Sequence, residues 1–180
     1  RYACGDAADH NRCVHGAVTG GYRAGKSAAR YALSLNGAPR EGTPITKERM
    51  ETFMAPLQRT AGYPYPQIEG SIRKIMSEHV GMTRTDLGLS TGLKKLQRLE
   101  TYLDEMKVND LHELMRSHET RSILTVGKMM ASSARFRTES RNKPYHYRLD
   151  YPETDDANWC GLVVVKQKGS GFDCSFESVV

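Results

Sequence analysis

From Ile68 to Met130 apolar residues recur at intervals of three and four, and this recurrence restricts the fold more than any other feature. Ile68, Ile72, Ile75 and Met76 share one face of a helix. Leu89, Leu93, Leu96, Leu103 and Met106 keep the same spacing. Leu111, Leu114, Met115, Val126, Met129 and Met130 repeat it after a cap at Asn109 or Asp110. Stripes of this period are core faces, and successive amphipathic helices bury them against one another. The pattern predicts an antiparallel three- or four-helix bundle over residues 45–141. A leading helix, "KERMETFMAPLQR", has Thr46 as its expected cap, and "AGYPYPQ" (61–67) interrupts before the next helix.

The two ends differ from this middle. Tyr2-Ala3-Cys4 reads as the tail of a buried strand, and residues 20–35 as an alanine-rich helix closed by Asn36-Gly37. "GAPREGTP" (37–44) is a turn-rich linker. After Arg141, "NKPYHYRLDYPETDDANW" is polar, aromatic and punctuated by proline, so it reads as extended rather than helical. "GLVVVKQKGSGFDCSFESVV" closes the chain with two β-prone stretches around Gly169-Ser170-Gly171, the pattern of a hairpin. The expected class is α+β. It comprises the end of an α/β domain in residues 1–37, a helical bundle in 45–141 and an extended carboxyl-terminal segment in 142–180.

At 180 residues the chain can bury a real core. The net charge of +5 arises from 26 basic and 21 acidic residues scattered mainly along the helices, a pattern of solvated faces rather than of a nucleic-acid surface. The longest apolar run, at 162–165, cannot span a bilayer, and no signal peptide opens the sequence. Cys4, Cys13, Cys160 and Cys174 form no CxxC pair and have no histidines at zinc spacing, so reduced thiols of a cytoplasmic protein are expected and no metal site. The chain begins with Arg1 rather than methionine, which suggests a fragment or processed product.

The stretch "CGDAADHNRCVHGAVTGGYRAGKSAARYAL" (4–33) carries the chemistry. A strand ending in Gly5-Asp6 puts a carboxylate at the carboxyl edge of a sheet, where α/β folds bind nucleotides. Asp6 there can accept hydrogen bonds from a sugar or ribityl diol. "HGAVTGG" then opens a helix whose small residues let a ligand approach the backbone, and whose free N–H groups favour negative charge. A reduced flavin presents that charge near N1 and the C2 carbonyl. A turn or capping role for Asp6 is the plainer alternative.

The stretch resembles the last FAD-contacting motif of flavoproteins with two dinucleotide domains. "DLHELMR" (110–116) and "RFRTESRNKPYHYRLDYPETDDANW" (135–159) resemble the signature of the fumarate reductase/succinate dehydrogenase flavoprotein superfamily. Within it, the series is most similar to the alpha chains of the adenylylsulfate (APS) reductase branch. "VGMTRTDLGLSTGLKKLQRLE" (80–100) fits the helical carboxyl-terminal domain of that superfamily.

The resemblance implies FAD as cofactor, with Asp6 toward the ribityl chain, Gly5 permitting close backbone approach, and His15, Gly16 and Ala17 at a helix entry beside the isoalloxazine. It also implies the remainder of a flavoprotein subunit, a ferredoxin-like iron–sulfur partner and a small anionic substrate. Succinate dehydrogenases and fumarate reductases carry a dicarboxylate-binding arginine after His-Gly-Ala. This chain has Val18 and Thr19 there, which weakens a dicarboxylate reading and leaves sulfonucleotide chemistry open. A GxGxxG fingerprint is absent from the sequence, so the chain reads as the carboxyl-terminal part of a larger subunit. A scaffold bundle without catalysis is the alternative from another class.

Two further clusters are weighed. Arg135, Arg137, Glu139 and Arg141 alternate in charge and suggest an ion network joining the bundle to the FAD domain; its rival is an anchor for that domain or for an anionic substrate. His112 and His118 do not share a helix face and carry no predicted role.

Overall fold

The structure, a computed structural model, describes residues 13–35, 47–169 and 171–179. The chain divides into two compact units, Arg1–Pro44 and Ile45–Val180. In the first, α1 (Cys13–Ser34) begins well ahead of the expected start at residue 20. Gly16, Gly20 and Gly21, with the β-branched Val14, Val18 and Thr19, weaken intrinsic helicity by up to about 1 kcal/mol per residue, so only the alanine-rich half announces itself in sequence. The expected strand at 2–4, the linker at 37–44, the closing Asn36-Gly37 and the cap Thr46 lie outside the described residues.

The second unit opens with α2 (Lys47–Gln58), followed by β1 (Tyr63–Pro64) and α3 (Tyr65–His79). Pro64 caps α3 with extended dihedrals and a second proline, Pro66, falls in its first turn, where a missing N–H costs nothing. The interruption at 61–67 is therefore short, and its last residues already begin the next helix. After β2 (Thr83–Arg84), α4 (Asp86–Leu103) is capped by Thr85, whose hydroxyl accepts from the Gly88 N–H at 3.0 Å. β3 (Met106–Lys107) leads to α5 (Leu111–Phe136). Asp110 caps α5 by accepting from the Glu113 N–H at 2.8 Å, and the Glu113 carboxylate returns to the Asn109 N–H at 2.8 Å.

Helices α3, α4 and α5 pack on one another, with α2 against α5. One buried cluster gathers Ile68, Ile72, Leu96, Leu103, Met106 and Leu124, and a second holds Val80, Leu89, Ala131 and Ala134. The first two apolar stripes thus face the core as expected, although Met106 lies in β3 rather than on a helix.

Of the third stripe only Leu114 is fully buried, with Met129 half-buried. Leu111, Met115, Val126 and Met130 are exposed, and beside Leu114 α5 buries Ser117, Thr120, Leu124, Gly127, Lys128, Ala131 and Ala134. Small residues occupy that face because three helices converge on it: a Cβ at Gly127 would stand 3.1 Å from the Met76 sulfur. Buried Lys128 is paired with Glu100 at 2.5 Å.

The tail belongs to the same unit. β4 (Tyr147–Arg148) pairs in parallel with β2, matching Thr83 with Tyr147 and Arg84 with Arg148. β1 and β3 form a similar short parallel pair. Residues 142–159 are not helical until their end, but run through turns and bends on either side of β4 rather than as one extended segment, and finish in a single helical turn, α6 (Asp156–Trp159), capped by Asp155. β5 (Gly161–Lys168) and β6 (Gly171–Ser178) then make the expected antiparallel hairpin, with Gly169 at φ 59° in the left-handed region that its turn requires. The hairpin packs against α5. The whole is α+β. No helix among the described residues is long and apolar enough to cross a membrane.

Candidate functional site

Of the residues singled out for flavin contact, Gly5 and Asp6 lie outside the described residues. His15, Gly16 and Ala17 are consecutive in the first turns of α1, with His15 and Ala17 exposed and Gly16 buried. The first turn of α1, residues 13–16, carries no acidic side chain of its own. Val14, Val18 and Tyr22, four residues apart, form an exposed face of the same helix.

The second unit concentrates its polar chemistry where α5 ends. Arg148 is fully buried. Its Nη1 donates to the carbonyls of Ala134, Arg135 and Arg137 at 2.9, 3.2 and 2.9 Å, closing the last turn of α5 with a cation where the helix dipole favours one. Its Nε and Nη2 grip both oxygens of Asp150 at 2.8 Å. Asp150 also accepts from the Asp86 N–H at 2.7 Å, joining the start of α4 to the end of α5. The Arg148 hydrogen bonds, together with that N–H, outweigh partial burial and hold the Asp150 carboxyl down at about 2.

Glu139 is likewise fully buried. It pairs with Arg137, accepts from Arg141 at 2.6 and 2.9 Å, and accepts from the Asp155 N–H at 2.8 Å. Burial pushes its carboxyl up, but the bonds from Arg141, Asp155 and Arg137 prevail and the net shift is downward. Arg137 continues to the carbonyls of Trp159 and Gly161 at 3.0 and 2.7 Å, and Arg141 to Asp156 at 2.7 Å. Arg135 stands apart, paired with Asp86 at 2.9 Å. The expected alternation of charge is therefore a network binding the end of α5 to α6 and the root of the hairpin.

Beside it lies a cavity of about 370 Å³, walled by Met130, Leu162 and Val163 and by Arg84, Arg141 and His146. Arg84 Nη1 donates to His146 Nδ1 at 2.6 Å. An arginine can only donate, so Nδ1 is the acceptor and the imidazole is neutral with its proton on Nε2. Burial, then the positive charges of Arg84, Arg137 and Arg148, push His146 down to about 4, in agreement with that tautomer. Nε2 is buried and makes no well-formed hydrogen bond among the described residues, although the ring interacts with the Glu139 backbone.

Sequence reasoning overlooked Arg84, His146 and Arg148 as a group. One local signal was available: Arg148 and Asp150, two apart in an extended stretch, lie on one side of the chain and form a bidentate pair.

The chain belongs to the fumarate reductase flavoprotein C-term family, whose model matches residues 69–180. Among curated relatives, an uncharacterised FAD-dependent oxidoreductase of Methanocaldococcus jannaschii is 35% identical over 57% of this chain and 18% of its own length. The succinate dehydrogenase flavoprotein subunit of Coxiella burnetii is 38% identical over 54% of this chain and 17% of its own length. The solved adenylylsulfate reductase of Archaeoglobus fulgidus matches 92% of this chain and 29% of its own, with a TM-score of 0.83 and 26% identity. The match thus spans less than a fifth of the length of these two curated relatives. Arg84, Glu139, His146 and Arg148 fall inside the family match, whereas His15, Gly16 and Ala17 precede it.

Proposed function

We propose that the chain is the carboxyl-terminal part of an FAD-dependent oxidoreductase subunit of the adenylylsulfate reductase kind. The observation that carries this reading is the likeness of nearly the whole chain, α1 included, to adenylylsulfate reductase. The residues of α1 fit a flavin. Gly16 and Ala17 offer almost no side chain, and the first turn of α1 carries no acidic residue of its own. In this reading Asp6 holds the ribityl hydroxyls and Gly5 lets the backbone come close. The α1 amides beside His15, Gly16 and Ala17 stabilise negative charge at the pyrimidine end. When bound, the flavin supplies two-electron acceptance and donation, while these groups orient it and tune its potential.

The exposed face of Val14, Val18 and Tyr22 is suited to burial against the remainder of the flavoprotein subunit. A ferredoxin-like iron–sulfur subunit and a small anionic substrate complete the assembly that the family resemblance implies. The arginine–carboxylate network gives the bundle a rigid end on which such partners can dock.

A second reading, a dicarboxylate oxidoreductase, is favoured by the identity to a succinate dehydrogenase flavoprotein. The two differ at Val18 and Thr19. A dicarboxylate is held best by a planar, bidentate cation, and threonine offers one neutral hydroxyl. Losing such a contact costs about 3 kcal/mol, roughly a hundredfold in affinity. The complete enzyme is therefore expected to turn over fumarate and succinate poorly beside adenylylsulfate. Steady-state assays of all three decide between the readings, and efficient fumarate reduction without response to adenylylsulfate selects the second.

A further inference from the structure

We propose that the open edge of β5 takes up an extended, acidic segment of a separate partner polypeptide, which adds to the β5–β6 hairpin as a third strand. Backbone pairing is the first argument. The Val179 N–H donates to the Cys160 carbonyl at 3.3 Å, so residues 160 and 179 form a hydrogen-bonded pair. In an antiparallel ladder such pairs alternate with pairs whose N–H and C=O groups point away from the neighbouring strand. The register from Gly161↔Ser178 to Lys168↔Gly171 therefore turns the peptide groups of Val163, Val165 and Gln167 outward. None of these groups makes a hydrogen bond among the described residues. At Gly161 the outward carbonyl is already taken by Arg137 at 2.7 Å, which marks where the open edge begins.

The described strands of the unit do not close this edge. β1 pairs with β3, β2 with β4 and β5 with β6, and no further strand is present among the described residues. Val163, Val164 and Val165 are β-branched and suited to a pleated sheet, and Leu162 beside them is exposed. Leu162 and Val163 also line, with Met130 and Ser133 of α5, the cavity of about 370 Å³, so apolar side chains of an added strand find walls there. A long, apolar, unpaired edge is a template for strand addition, in which main-chain bonds give affinity and alternate side chains give specificity.

Charge sets the chemistry of the partner and its source. β5 ends in Lys166-Gln167-Lys168, all exposed. Lys168 pairs with Asp173 across the hairpin, whereas Lys166 has no ion pair among the described residues. An added strand places a side chain about 5 Å from each lysine, where a carboxylate is favoured and a second cation is not. β5 itself carries no carboxylate, so two copies pairing through this edge leave the lysines unmatched. Edge lysines in this way block self-pairing and keep an open edge soluble, the requirement of an edge that waits for a separately made chain. The segment that fits alternates, with apolar residues opposite Val163 and Val165 and carboxylates opposite Lys166 and Lys168.

The test is amide hydrogen exchange of the nitrogen-15-labelled chain, with the capped peptide acetyl-Val-Glu-Val-Glu-Val-Glu-Val-amide as probe and its Val-Lys counterpart as comparator. The Glu peptide is expected to bind with a Kd on the order of 1 mM. At saturation it should slow exchange at Val163, Val165 and Gln167 about tenfold or more, and leave Val164 and Lys166, already paired with β6, unchanged. Val165→Pro removes one outward N–H without touching a β5–β6 bond and should abolish that protection. Gln167→Pro, at an exposed position, serves if Val165→Pro disturbs the hairpin. Lys166→Glu should weaken binding of the Glu peptide about tenfold. Absence of protection, equal protection by the Val-Lys peptide, or protection that survives both prolines would overturn the proposal. This arm is independent of the flavoprotein reading, so the two can fail separately. A second arm treats the complete enzyme with a carbodiimide, which joins a lysine to a carboxylate in contact with it, and rests on the chain being part of a larger assembly. A link from Lys166 to an Asp or Glu of a different polypeptide supports the proposal. Links only to the chain's own subunit or to a second copy, or no link beyond Asp173, overturn it.

Discussion

Replacing Arg148 by methionine is expected to destabilise the second unit by about 3–5 kcal/mol, the cost of breaking a buried ion pair by removing one partner. Methionine keeps much of the stem and apolar volume, so the loss reports the guanidinium. Three carbonyls at the end of α5 and both oxygens of Asp150 lose their donor together. Arg148→Lys retains the charge but not the planar fork that reaches carbonyls and carboxylate at once, so an intermediate loss is expected. Urea denaturation of the chain measures both.

The pair also predicts a pH signature. A carboxyl held at about 2 in the folded state, against an ordinary value near 4, stabilises fully above the unfolded value and loses that contribution as pH falls toward 2. The wild-type chain should therefore lose stability across that interval, and Arg148→Met should lose less. A gap between the two that does not narrow from neutral pH to about pH 2 would show that Asp150 is not the responsible group.

Glu139→Ala should be of similar size, about 3–5 kcal/mol, for the opposite reason: it leaves cations rather than an anion without their partner. Arg137 keeps only backbone carbonyls, Arg141 keeps the exposed Asp156, and the Asp155 N–H loses its acceptor. Glu139→Gln preserves shape and one acceptor oxygen and should recover part of the loss. Thermal and urea unfolding give the values, and a change below about 1 kcal/mol for Glu139→Ala would mean that the network is decoration on an already stable hairpin root.

The bundle was legible in sequence wherever the core-facing residues are large. Ile68, Ile72, Leu89 and Leu96 are spaced as a helix spaces them, and all four are buried. On α5 the same reasoning found Leu114 but otherwise selected mostly exposed positions. That helix lies among three neighbours and the hairpin, so close approach favours Ser117, Thr120, Gly127 and Ala131 on its buried side. The larger Leu111, Met115, Val126 and Met130 are left outside. Apolar periodicity senses side-chain hydrophobicity, whereas a crowded crossing selects for small size.

The start of α1 was hidden for a related reason, since glycines and β-branched residues carry little helical preference of their own. The polar site was half legible. The alternating charges of 135–141 announced a network, but its destinations lie in α4, α6, β4 and the root of β5, and no local pattern in one sequence reveals that Arg84 and Arg148 are register partners. Gly5 and Asp6 remain a reading of the sequence and its resemblance.

The most direct test of the central reading is the equilibrium dissociation constant of FAD from the complete flavoprotein subunit, measured by flavin fluorescence for wild type and for Asp6→Ala. The account predicts tight binding in the wild type and a loss of about 1.5–3 kcal/mol in the variant, roughly ten- to a hundredfold, for removal of a charge-assisted hydrogen bond to the ribityl chain. A wild-type subunit that binds no FAD, or an FAD affinity unchanged by Asp6→Ala, would contradict it.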